Sequence, residues 1–155
     1  MSGSGGSREV RVAVPLEAVV SELDRTKKHI EGLQENIRRA LERLNDLAIS
    51  RELISTMKLS KVEEMLVPTD KSGTTYVYAK LDKADKVVIH IGSEYFVELT
   101  PEKAMELIVS EENELKELIK ELEKELEEAS KYFRSLQGLL VAARSQPSRD
   151  GGRAE

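Results

Sequence analysis

Side chains with reactive chemistry are few in this chain and far apart. It holds two histidines and no cysteine. Thiolate nucleophiles, thiolate metal sites and disulfides are therefore excluded, which fits a reducing compartment. His29 falls at a flanking position of a helical heptad beside Ile30, and His90 sits on the strand face opposite Val87, Ile89 and Ile91. Neither has a second ligand at metal-binding spacing, so a solvated or hydrogen-bonded structural role is expected for both, with no metal or other cofactor. Carboxylates are dense between Glu111 and Glu128, but on a solvated helix face nothing desolvates them and no pocket gathers a substrate. Gly73 and Gly92 fit no phosphate-loop pattern, and a turn explains each. The expectation is a protein that is not an enzyme. The remaining candidates are apolar: Val10, Val12, Val14, Leu16, Val19 and Val20 towards one end, and Leu136, Leu139, Leu140 and Val141 towards the other. What such residues can do is bind other apolar surface.

The elements that position them follow from composition and period. Of 155 residues, 4% are aromatic and 34% charged, which argues against one thick globular core and for long helices. From about Pro15 to Lys61, apolar residues alternate in steps of three and four: Leu16, Val19, Leu23, Ile30, Leu33, Ile37, Ala40, Leu44, Leu47 and Ile54, broken only by Thr26 and Arg51. A second stripe runs Met105, Ile108, Leu115, Ile119, Leu122, Leu126, Ala129, Phe133, Leu136, Leu140 and Ala143, with Glu112 its one polar member. Thr100, Pro101 and Glu102 mark the start of that helix as N-cap, first helical residue and favourable first-turn charge. The two stripes share one antiparallel register, in which Leu44 faces Leu115 and Ile54 faces Met105. Nine basic and eight acidic residues on the first helix oppose eleven acidic and four basic residues in Glu102 to Glu128, so the arms attract modestly. In this register Arg51 and Glu112 come one layer apart, close enough for an ion pair.

Between the helices the period changes to alternation. Thr75, Val77, Ala79 and Leu81 share one strand face, Val87, Ile89 and Ile91 the next, and Tyr95, Val97 and Leu99 the last; a shorter strand is expected at Met65 to Val67. Four strands make two hairpins, too small to stand alone in water, so these strands are expected to pair with sheets of other subunits. Val77, Ala79, Leu81, Val87, Ile89, Ile91, Tyr95, Val97 and Leu99 are the expected interface, with Tyr76, Tyr78 and Phe96 packing across strands in it. The expected fold class is mainly α with a small β part: a long antiparallel two-helix coiled coil joined by two β-hairpins. The domain spans 15–145, with a helix over 15–63, hairpins over 64–99 and a helix over 101–145. Residues 1–14 and 146–155 are expected to be flexible tails. A formal net charge of -5 provides no basic excess for phosphates, and no apolar run approaches the ~20 residues that span a bilayer. Neither nucleic acid nor membrane is expected as a partner, and the cytoplasm is the expected location.

Helix, two hairpins, helix is the order of the prefoldin α class, and local stretches are similar too. Glu64-Met65-Leu66-Val67-Pro68 resembles that family's approach to its first hairpin, and Lys80-Leu81 with Asp85-Lys86-Val87-Val88 resembles its second turn and third strand. Ile91-Gly92 with Tyr95-Phe96-Val97-Glu98 resembles its glycine turn and aromatic strand. Tyr78-Ala79 departs from the family's frequent Pro-Gly, and His90 stands where an acidic residue is common. The resemblance implies an ATP-independent chaperone subunit in a hexamer of two α and four β subunits. It further implies that unfolded client proteins are held at the coiled-coil tips and passed to a group II chaperonin. The ten apolar end residues named above would be those tips. A different outcome of the same strand edges is self-assembly into a filament or scaffold.

Overall fold

The computed structural model describes residues 15–60, 63–83 and 85–145. Helix α1 spans Leu16–Ser60 and helix α2 spans Pro101–Ser145. Between them lie strands β1 (Glu64–Pro68), β2 (Tyr76–Lys80), β3 (Val87–Gly92) and β4 (Tyr95–Leu99). The first helix is shorter than the expected 15–63. Leu81 N–H donates to the Glu63 carbonyl at 2.9 Å, so Glu63 already extends the first hairpin's ladder. The α2 start is capped as its sequence requires: Thr100 Oγ1 accepts from Lys103 N–H at 3.4 Å and the Thr100 carbonyl from Ala104 N–H at 2.9 Å.

The chain divides into two compact units. In one, the start of α1 up to Glu35 is grouped with the end of α2 from Glu123. Here Val19, Leu33 and Leu136 are buried, all from the heptad stripes. Thr26 is buried among them, and its hydroxyl donates to the Glu22 carbonyl one turn back at 2.8 Å. That carbonyl already accepts the helical N–H, so removing the hydroxyl leaves nothing unsatisfied. Thr26→Val is therefore expected to leave the melting temperature unchanged or raise it, by up to about 1 kcal/mol of stability. A thermal melt checks this, and a loss of more than that would mean the hydroxyl serves something else.

The other unit, Asn36–Leu122, carries the hairpins. The sense of the helix pair is read from its bridges. Arg43 Nε meets Glu111 Oε1 at 2.8 Å, Arg51 Nε meets Glu112 Oε1 at 3.1 Å, and Lys58 Nζ meets Glu102 Oε1 at 2.8 Å. From the first bridge to the last the α1 number rises from 43 to 58 while the α2 number drops from 111 to 102, so the helices are antiparallel and near the register read from the heptads. Leu47, Ile54, Ala104 and Ile108 form the buried cluster.

Strands β1 and β2 make one two-stranded sheet and β3 and β4 another, both antiparallel. The β1–β2 turn is organised by Asp70. Its Oδ1 accepts from Ser72 N–H at 2.8 Å and Thr74 N–H at 3.1 Å, and its Oδ2 from Thr75 N–H at 3.0 Å. Gly73 takes φ +64° within it, and a Cβ there would stand 2.7 Å from the Tyr76 hydroxyl. The N–H groups of Thr74, Thr75, Ser72 and Gly73 hold the Asp70 carboxyl below its ordinary value. A carboxyl lowered in the folded state stabilises it above the unfolded pKa, and that contribution disappears as pH falls through the folded pKa. Acidification below about pH 4 is thus expected to loosen this turn. Amide exchange at Ser72, Thr74 and Thr75 measures it, and Asp70→Asn should show faster exchange already at neutral pH.

Candidate functional site: apolar ends and open hairpins

Among the described residues no group of histidines and acids could hold a metal ion. The displaced pKa values belong to exposed groups in ordinary surroundings. Hydrogen bonds from Lys28, Lys86, Lys58 and Lys131 hold Asp24, Glu98, Glu102 and Glu127 below the usual carboxylate range. His29 Nε2 lies 3.1 Å from Glu125 Oε1 on the opposite helix, and His90 Nε2 lies 2.7 Å from the Ser93 carbonyl in the β3–β4 turn. Both histidines have a structural partner. No helix among the described residues is long and apolar enough to cross a membrane.

What the surface offers is hydrophobic. At the start of α1 and the end of α2, Leu16, Val20, Leu139 and Val141 are 47, 48, 56 and 67% exposed. Val19 and Leu136, expected in the same tip set, are buried in the seam, and Leu140 is half-buried. The heptad explains the split: seam positions close the helix pair and the positions beside them are left over. Val10, Val12 and Val14 lie outside the described residues.

The hairpins present two different surfaces. In β3–β4, Val87 pairs with Leu99 and Ile89 with Val97, so these four share a face. Val87, Ile89 and Leu99 pack against the buried Leu47, Ile54, Ala104 and Ile108 of the chain's own helices. This differs from the expectation that the small sheet must bury that face against other subunits. A two-stranded ribbon is just wide enough for the helix pair to cover one side of it. The other side, with Val88, His90 and Phe96, is exposed, and the rings of His90 and Phe96 lie tilted at 53° to each other with centroids 5.0 Å apart. Ile91 does not continue the Val87–Ile89 row. A register shift between His90 and Gly92 bulges it out, with Gly92 at φ 136° and Ser93 at φ 49°, and Ile91 and Tyr95 are both exposed.

In β1–β2, Met65 pairs with Ala79 and Val67 with Val77, giving one apolar face on which Val77 is 48% exposed; Leu81, just past β2, is half-buried. Leu66 pairs with Tyr78 and Pro68 with Tyr76, giving a second apolar face whose four residues are all exposed. None of this hairpin's residues joins the buried cluster. Leu66, Val88 and Leu59, all exposed, were not among the expected site residues. The signal for the first two is that the "outward" positions of these strands are themselves apolar, the pattern of a sheet covered on both faces. Among the described residues neither two-stranded sheet has a third strand along its edges, which proteins seldom leave uncovered.

Fold and surface define a class of protein: a two-helix pair bearing β-hairpins, whose chemistry is binding through apolar surface and open strand edges. Residues 26–143 match the prefoldin subunit family, and the chain belongs to that family, whose members are chaperones without enzymatic activity. Its relatives place it in the α class. It is 28% identical over 144 residues to prefoldin subunit alpha of Sulfurisphaera tokodaii, covering 92% of this chain and 93% of that one. It is 29% identical over 140 residues to prefoldin subunit alpha of Saccharolobus solfataricus, covering 86% and 93%. A cryo-EM structure of filamentous PFD from Methanocaldococcus jannaschii superposes with a TM-score of 0.60 at 27% identity, over 79% of this chain and 98% of that one.

Proposed function

We propose that this chain is the α subunit of a hexameric, ATP-independent holdase containing two α and four β subunits. The observation that carries the reading is the surplus of apolar surface at Leu16, Val20, Leu139 and Val141, beside a seam that Val19 and Leu136 already close. A pair of helices needs no such surplus for its own folding, whereas a surface that holds unfolded polypeptide must be apolar and accessible. The hairpins then supply assembly: exposed Val77, Leu66, Tyr76 and Tyr78 on one, and Val88, Ile91, Tyr95 and Phe96 on the other, meet strands of β subunits along the open edges. Clients are released to a group II chaperonin, and the complex works in the cytoplasm without nucleic acid or membrane.

A second reading has a specific observation behind it, since the M. jannaschii structure is of a filamentous PFD. The same edges, repeated head to tail, would give an open polymer instead of a closed hexamer. Native mass spectrometry of the full chain, alone and mixed with a β-class subunit, separates the two. The holdase reading expects one discrete species of two α and four β chains. A ladder of masses built from this chain alone, unchanged by the β subunit, would favour the filament.

A further inference from the structure

The seam of the hairpin unit contains one charge that a seam does not need. Glu112 occupies a heptad position suited to an aliphatic residue, and its side chain is 5% exposed, against 49% for its partner Arg51. The 3.1 Å approach of Arg51 Nε to Glu112 Oε1 is that of an ion pair, but it is not aligned as a hydrogen bond. The buried Oε1 has no hydrogen-bond partner. An incompletely satisfied buried carboxylate is less stable than a packed leucine would be.

Register is what such a pair can supply. The link from Ser60 to Pro101 carries two hairpins and is no tight turn, and its β3–β4 face, which packs on Leu47 and Ile54, would meet the equally apolar Ala40 and Leu47 after a slip of seven, so the link does not by itself align the helices. An aliphatic heptad seam fits itself again after a slip of seven residues, about 10 Å along the axis. Slipped one way, Leu44 replaces Arg51 beside Glu112, and the carboxylate is buried alone. Slipped the other way, Lys58 takes that place, abandons Glu102, and Arg51 is carried into the layer of Leu44. Other bridges between these helices, Arg43–Glu111, Lys58–Glu102 and His29–Glu125, join exposed or half-exposed side chains, and such bridges discriminate weakly. We infer that Arg51 and Glu112 are the register determinant of the helix pair, lowering the stability of the native alignment a little and of slipped alignments much more. This holds whether or not the chain is a holdase.

The absence of cysteine makes the test clean. Spin labels at Asn45→Cys and Lys103→Cys, both exposed and well separated along the axis, report the alignment in the full chain by electron paramagnetic resonance. The otherwise unaltered chain is expected to give one distance population. Arg51→Leu with Glu112→Leu is expected to melt at a higher temperature and to show a second population, shifted by about 10 Å. Glu112→Leu alone, which leaves Arg51 free to extend into water, should show the same second population. Arg51→Leu alone, which strands the buried carboxylate, should lower the melting temperature. A single unshifted population in both Glu112→Leu variants overturns the inference, as does an Arg51→Leu variant as stable as the original chain.

Discussion

Replacing Leu16, Val20, Leu139 and Val141 together with glutamine is expected to leave the chain folded and assembled, yet to cut several-fold its capacity to keep an unfolded client in solution. All four side chains are about half exposed or more, and glutamine matches leucine in helix propensity, so each change should alter stability by no more than about 0.5 kcal/mol. The binding side of the ledger differs. An apolar side chain of this size contributes roughly 1.5–3 kcal/mol when a partner covers it fully, so losing four of them weakens the hold on a client considerably. Tips of intact β subunits would retain part of the activity. Light scattering from a refolding client, compared at equal concentrations of complex, reads the difference. Removing residues 1–22 together with 138–155 should act in the same direction. If both variants hold clients as well as the original, the α ends are not a client site.

The second large effect separates the two hairpins. Ile89→Asp puts a carboxylate onto Leu47, Ile54, Ala104 and Ile108, so it should destabilise the isolated chain by about 3 kcal/mol or more, and assembly with it. Val77→Asp falls on a surface the chain itself leaves open. It should cost the isolated chain no more than about 1–2 kcal/mol, for lost strand propensity and the Val67 pair, yet abolish assembly, because the exposed half of the residue would be covered only by another subunit. Thermal melts of the chain alone, paired with native mass spectra of the mixture, test both halves. A Val77→Asp chain that still entered the full-size complex would remove the first hairpin from the interface.

How far these sites are legible in the sequence depends on how many partners each pattern can have. The helices offer each other as partner: the stripes from Leu16 to Ile54 and from Met105 to Ala143 match in length and antiparallel register, and among the registers a heptad allows, the one in which Arg51 meets Glu112 is adopted. The strand faces have several. Alternation says that Ile89 points away from His90, but not whether its cover is the chain's own Leu47 and Ile54 or a neighbour's sheet. Packing answers that for β3–β4, where the cover is internal. Simple alternation puts Ile91 in the Ile89 row, but the register shifts between His90 and Gly92, where Gly92 and Ser93 take positive φ values, and Ile91 leaves that row. At the ends, the heptad names Val19 and Leu136 as seam and the apolar cluster names them as tip. Burial assigns them to the seam and leaves Leu16, Val20, Leu139 and Val141 as the accessible set.

The most direct measurement for the central claim, that this is a nucleotide-independent holdase subunit, is the aggregation of a denatured client diluted into the purified α–β complex without any nucleotide. The account predicts that scattering is suppressed at near-stoichiometric complex, and that added ATP changes nothing. Scattering identical to that of the client alone, with the complex confirmed to be assembled, would contradict it.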